Sequence, residues 1–173
     1  FICGTTGEGA SLTLAERRAI AERWRQAAPP GLRVIVHVGH TCLADARELA
    51  AHAQAIGADS IAALAPYFFK PDGVEGLVEW CAQIAAAAPQ LPFYYYHMPS
   101  MTGCQVAVAD FLAAGGPQIP SLAGIKYTFE DLEDFAAVDR HAPCAGSLSH
   151  RSTVCTVLPW KRGREAPTRD LGR

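Results

Sequence analysis

The sequence predicts an α/β fold, a partial (β/α)8 TIM barrel of about five to six βα units. Apolar, strand-like runs at Val34–Val38, Ser60–Ala65, Phe93–His97 and Leu122–Tyr127 begin 26, 33 and 29 residues apart, with helical segments between them. The runs are apolar throughout rather than alternating, which is the pattern of parallel strands covered on both faces. An open doubly wound sheet shares that pattern. However, the turn Gly4-Thr-Thr-Gly-Glu-Gly9 lacks the Gly-x-Gly-x-x-Gly spacing of a dinucleotide-binding open sheet. A full barrel needs eight units and about 250 residues. The 173 residues therefore read as an incomplete barrel.

Each element has its own signal. Phe1–Cys3 reads as the tail of a strand whose beginning precedes the sequence, which carries no initiator methionine. After Ser11-Leu12, the pattern Thr13-x-x-Glu16 is a capping box, opening a helix with Ile20, Trp24 and Ala27 on one face. The next helix is expected from Leu43 to Ile56, stopped by Gly57, which takes the left-handed conformation at low cost. A third covers Gly76–Ala88 and ends before Pro89. A fourth covers Val106–Ala114 and ends at Gly115-Gly116. A fifth, Phe129–Val138, is acidic at its start, which suits the positive end of the helix dipole.

Half of the residues are hydrophobic and 18% are charged, a globular composition with enough length for a real core. The formal net charge of −2 gives no reason to expect a nucleic-acid or anionic membrane partner. That total is uneven. Arg151, Lys161, Arg162, Arg164, Arg169 and Arg173 against Glu165 and Asp170 leave residues 151–173 at +4, so residues 1–150 hold −6. Six cysteines, Cys3, Cys42, Cys81, Cys104, Cys144 and Cys155, form no Cys-x-x-Cys pair. Free thiols in a reducing, cytoplasmic compartment are favoured over disulfides. No signal peptide or bilayer-length apolar stretch is evident.

In a barrel the reactive groups gather at the carboxyl ends of the strands. Five segments point there: Gly4–Glu8, His37–His40, Pro66–Phe69, Tyr95–His97 and Lys126–Thr128. Lys126, one of three lysines, closes the run Leu122-Ala-Gly-Ile-Lys-Tyr-Thr128. An ammonium at a buried strand end is costly to desolvate, so the neutral amine is favoured, and that amine is the nucleophile that forms a Schiff base with a ketone. The plainer alternative is a lysine reaching out to solvent. Tyr94 and Tyr96 share one side of their strand. A phenol beside the lysine can move protons, although a strand tyrosine is more often core. Thr5 and Thr6, between two glycines, form either an ordinary turn or an anion-binding nest of backbone N–H groups. His37, His40 and His97, taken with Cys3 or Cys42, show no ligand spacing, so no metal is expected. Lys70 reads as a loop surface residue.

Three stretches, Gly4-Thr-Thr-Gly-Glu8, Tyr96-His-Met-Pro-Ser-Met-Thr-Gly103 and Gly124-Ile-Lys-Tyr-Thr128, resemble the motifs of the pyruvate-dependent class I aldolases of the dihydrodipicolinate synthase superfamily. Within it the chain is similar to animal-type N-acetylneuraminate lyases, through Ala65-Pro-Tyr-Phe-Phe-Lys-Pro71, Phe93-Tyr-Tyr-Tyr-His97 and Phe129-Glu-Asp-Leu-Glu-Asp-Phe135. The likeness runs from Phe1 to about Gly146. It implies that Lys126 is the Schiff-base lysine and Tyr96 the proton-shuttling phenol. It further implies that Thr5 and Thr6 bind the pyruvate carboxylate and that Thr128 faces the sugar part of the substrate. The implied reaction cleaves N-acetylneuraminate (sialic acid) reversibly to N-acetylmannosamine and pyruvate, in a homotetramer, with no metal or organic cofactor.

Three departures qualify the resemblance. Met101 stands where dihydrodipicolinate synthase has an arginine for a second substrate carboxylate, and Met101 cannot pair with one. Phe68 stands where many members have a tyrosine borrowed by a neighbouring subunit. After Gly146 the expected acidic pair and two further βα units are replaced by Ser147-Leu-Ser-His-Arg151 and a basic tail. The expected organisation is thus an incomplete catalytic barrel over residues 1–146 and a divergent, irregular tail over 147–173. Missing strands would leave barrel edges unpaired, so an inactive truncated product is the alternative to a working lyase.

Overall fold

A computed structural model of the chain describes residues 1–131, 133–136 and 155–159. Four parallel strands lie in sequence order: β1 Ile35–His37, β2 Ser60–Leu64, β3 Phe93–His97 and β4 Leu122–Thr128. Ahead of them, Ile2 bridges to Val36 in parallel, with Ile2 N–H on the Ile35 carbonyl and His37 N–H on the Ile2 carbonyl, both at 3.0 Å. The expected strand tail at Phe1–Cys3 is therefore a single bridge. Between the strands run α1 Leu14–Ala27, α2 Leu43–Ala55, α3 Gly73–Ala85, the short α4 Pro99–Thr102 and α5 Val108–Gln118. Parallel strands alternating with helices form part of a (β/α)8 barrel, as expected.

The register divides the sheet into two faces. Val36, Ile61, Ala63, Phe93, Tyr95, Ile125 and Tyr127 join Leu49, Leu77, Val78, Ile84, Phe111 and Leu112 of the helices in one buried core. Burying such side chains contributes roughly 1.5–3 kcal/mol each against leaving them exposed. Their alternates face the other side, where Leu64, Tyr96 and Lys126 stand in one row across β2, β3 and β4. That row is the floor of the site.

Several boundaries differ from expectation, each for a local reason. The capping box forms, with Thr13 Oγ1 accepting from Glu16 N–H at 3.3 Å and Glu16 Oε2 accepting from Thr13 N–H at 2.9 Å. The buried face of α1 is rotated, however: Arg17 and Ala21 are buried and Trp24 is 48% exposed. Helix α2 ends as expected, with Gly57 at φ 71°. Helix α3 starts three residues early, at Gly73, and ends at Ala85 rather than Ala88. Helix α5 runs through Gly115-Gly116 and Pro117 to Gln118, because both glycines are buried and a side chain at Gly115 would already touch Ile119, Leu122 and Val78. Close packing here outweighs the low helix propensity of glycine. Of the helix expected over Phe129–Val138, residues 129–131 are not helical, residues 133–136 are, and 132, 137 and 138 lie outside the described residues.

The tail needs one correction. Within the segment expected to be irregular, Cys155–Pro159 form β5, antiparallel to β4, pairing Lys126 with Val157 and Thr128 with Cys155. The physical reason is the open edge of β4, whose backbone donors and acceptors find partners in a β-branched segment, Thr156-Val157.

Candidate active site

The site is built from the residue row upward. Lys126 is 6% exposed and donates Nζ–H to Thr128 Oγ1 at 3.0 Å. Two residues apart on β4, these side chains emerge on the same face. The Lys126 amine sits 3.6 Å from the centroid of the Tyr96 ring, its register neighbour on β3. The Tyr96 hydroxyl lies 3.2 Å from Thr5 Oγ1, and both hydroxyls approach the Met98 thioether, at 3.2 and 3.3 Å. Phe1 sits over the amine at 4.8 Å and meets the Tyr96 ring edge-on at 5.4 Å.

Four of the five residues expected at the site, Lys126, Tyr96, Thr128 and Thr5, therefore form one continuous chain of contacts. Thr6 does not join it: it is exposed, and the cavity beside the chain is walled by Thr5 rather than Thr6. That cavity, of about 260 Å³, is bounded by Cys3, Gly4, Thr5, His37, Tyr67 and Met101 among others. Its rim turn is strained, with Cys3 at φ 54° and Glu8 at φ 51°. Glu8 N–H is taken by the Thr5 carbonyl and Gly9 N–H by the Gly4 carbonyl. A side chain at Gly9 would collide with the Cys3 carbonyl, which explains that glycine by close approach.

The three histidines each make local contacts. His37 Nδ1 bonds the Cys3 carbonyl at 2.9 Å, and its ring meets Tyr96 edge-on at 5.7 Å. Burial first, then the Arg17 charge, hold its imidazole down to about 3, so it is neutral at pH 7 and Nδ1–H is the donor. His40 accepts from Cys42 N–H at 3.0 Å. His97 stacks on Tyr127 behind the sheet, and burial holds it down to about 4. Its 3.7 Å approach to Asp134 is then that of a neutral ring to a carboxylate, not an ion pair. Among the described residues no three His, Cys, Asp or Glu side chains are grouped to hold a metal ion. Lys70 is exposed.

The sequence reading missed Met98, Arg17 and the orienting role of His37. Arg17 alone left a signal, since it falls three and four residues before Ile20 and Ala21 on the inward stripe of α1. An amine, a phenol and two hydroxyls in contact beside a cavity can attack a carbonyl and move a proton.

Residues 1–145 match the family model described as the dihydrodipicolinate synthetase family. The chain belongs to that family. This family member is 48% identical over 136 residues to the N-acetylneuraminate lyase of Rattus norvegicus, matching 78% of this chain and 42% of the rat protein. It superposes on the N-acetylneuraminate lyase of Proteus mirabilis with a TM-score of 0.78 at 41% identity, covering 80% of this chain and 47% of that one. A dihydrodipicolinate synthase from Aquifex aeolicus gives a TM-score of 0.74 at 27% identity, covering 80% and 46%. The chain thus spans less than half the length of the relatives it matches.

Proposed function

We propose that this chain carries the Schiff-base centre of an N-acetylneuraminate lyase, which cleaves N-acetylneuraminate reversibly to N-acetylmannosamine and pyruvate. The observation that carries the reading is the enclosure of the Lys126 amine between the Tyr96 ring and the Thr128 hydroxyl. The amine attacks the C2 ketone of the open-chain sugar acid, and loss of water leaves an iminium that draws electrons from the C3–C4 bond. As that bond breaks, Tyr96 takes up the C4 hydroxyl proton while handing its own O–H proton on through the neighbouring Thr5 hydroxyl to water, a relay that leaves both hydroxyls neutral. The resulting enamine is protonated at C3 and hydrolysed, releasing pyruvate and restoring the amine. Thr5, on the cavity wall, receives the pyruvate carboxylate, and Thr128 turns toward the sugar portion. No metal or organic cofactor takes part.

Higher identity to the two lyases than to the synthase supports a sugar-acid substrate. Met101 supports it too, since it lines the cavity, is 62% exposed and offers no charge for a second carboxylate. The proposal extends to a homotetramer in the cytoplasm. Phe68 and Phe69, at 74% and 84% exposed, supply apolar surface for assembly, and Cys3, Cys42, Cys81 and Cys104 are free thiols suited to a reducing compartment.

The test is incubation with pyruvate and borohydride followed by peptide mapping. Reduction of the iminium should leave a stable adduct on Lys126. Equal modification of Lys70 and Lys161, or no adduct at all, would mean that these residues hold no working centre.

A further inference from the structure

Arg17 carries a charge that the proposed chemistry leaves unused. Its side chain is 2% exposed, and among the described residues no carboxylate lies within ion-pair distance of it. Nη1–H donates to the Gly39 carbonyl at 3.0 Å and Nη2–H to the His37 carbonyl at 2.6 Å. Nε–H is buried without a partner among the described residues. Carbonyl oxygens satisfy donors but do not cancel a net charge, so among the described residues this buried cation has no counter-charge.

That cation is hydrogen-bonded to a residue of the cavity wall. His37 and Cys3 form part of the cavity wall. The guanidinium grips the carbonyl of His37, and His37 in turn holds the carbonyl of Cys3. The Cys3 thiol reaches the Arg17 carbonyl at 3.9 Å. Both wall groups feel the charge: it adds to burial in holding the His37 imidazole down, and it opposes the upward push that burial exerts on the Cys3 thiol. Tyr67, on the same cavity, interacts with it as well. Glu8 also lines the cavity, but it is exposed and its charge is screened by water.

We infer that Arg17 sets the cavity's preference for carboxylate-bearing keto acids over neutral ketones, acting as a fixed positive charge hydrogen-bonded to the wall without touching the ligand. The inference rests on the Schiff-base reading of Lys126. Its test compares pyruvate with methyl pyruvate, the neutral ester, by the concentration of each that half-saturates borohydride trapping on Lys126. Arg17→Gln should raise the half-saturating pyruvate concentration about tenfold, the order expected for losing one partly shielded charge, and leave methyl pyruvate within about twofold. Arg17→Lys keeps the charge but cannot fork to two carbonyls, and should hold the pyruvate-to-ester ratio of the unaltered chain. The inference is overturned if both ketones weaken together in Arg17→Gln, because a purely structural role moves both. It is equally overturned if Arg17→Lys shifts the ratio as Gln does, and this arm decides the matter if Arg17→Gln does not fold. Absence of any Lys126 adduct in the unaltered chain would instead strike the Schiff-base reading, and the inference with it.

Discussion

Tyr96 offers its ring to the Lys126 amine and its hydroxyl to Thr5, so its two parts can be separated by experiment. Tyr96→Phe keeps the ring and removes the proton carrier. Pyruvate trapping on Lys126 should survive in that variant, while cleavage of N-acetylneuraminate falls by about 10²–10⁴-fold, the usual reach of general acid–base catalysis. Equal loss of trapping and cleavage would make the hydroxyl a structural group only. His37 supplies a second residue-scale prediction, in stability. Its folded pKa of about 3 lies below the ordinary 6.5, so the unfolded chain binds more protons between those values and stability falls as pH drops through that window. At pH 5 this one ring should cost about 2 kcal/mol relative to pH 7. His37→Asn keeps an N–H for the Cys3 carbonyl and does not titrate. Urea midpoints at pH 7 and pH 5 should therefore converge more closely in the variant. His97 acts with the same sign, and comparing the two proteins cancels its share.

At the scale of elements, the most legible signals were those read from local backbone chemistry. Thr13-x-x-Glu16 predicted a capping box that forms, and Gly57 predicted a stop that the left-handed φ of 71° explains. Thr13→Ala should lower stability by about 1 kcal/mol, visible in the urea midpoint. Gly57→Ala should cost about as much through backbone strain alone, because nothing lies within 4 Å of the added methyl. No change in either midpoint would show that these ends are held by packing instead. Elements set by packing were harder to read. Gly115-Gly116 looks like a helix stop in sequence, yet α5 continues through both because small residues let it close on Val78 of α3. The buried stripe of α1 includes an arginine whose spacing to Ile20 and Ala21 places it inward, but whose partners, the His37 and Gly39 carbonyls at the β1 end, are set by packing. At the site, strand alternation puts Lys126 and Thr128 on one face. The roles of Tyr96 and Thr128, by contrast, come from the family resemblance, and the register that sets Tyr96 beside Lys126 is a matter of packing. The Met98 contact was not legible, since a thioether between two hydroxyls depends on where the chain turns after β3.

At the scale of the whole molecule, the residues proposed for the Schiff-base centre sit on a sheet whose last parallel strand would otherwise be an edge. Lys126 and Thr128 belong to β4, and the far side of β4 pairs with β5 at those very positions, Lys126 with Val157 and Thr128 with Cys155. An unpaired strand edge is a template for association with other chains, and its backbone groups lose their partners. Deleting residues 147–173 removes β5 and leaves the α1–α5 core residues in place. The deletion should therefore lower the thermal midpoint by several degrees and raise light scattering on heating, with the helical circular dichroism signal largely retained. Borohydride trapping should fall with it, because the strand that aims the amine is then held from one side only. A deleted chain that melts and traps pyruvate like the full one would mean that β3 and the helices alone fix β4, and that the antiparallel strand contributes nothing to the centre.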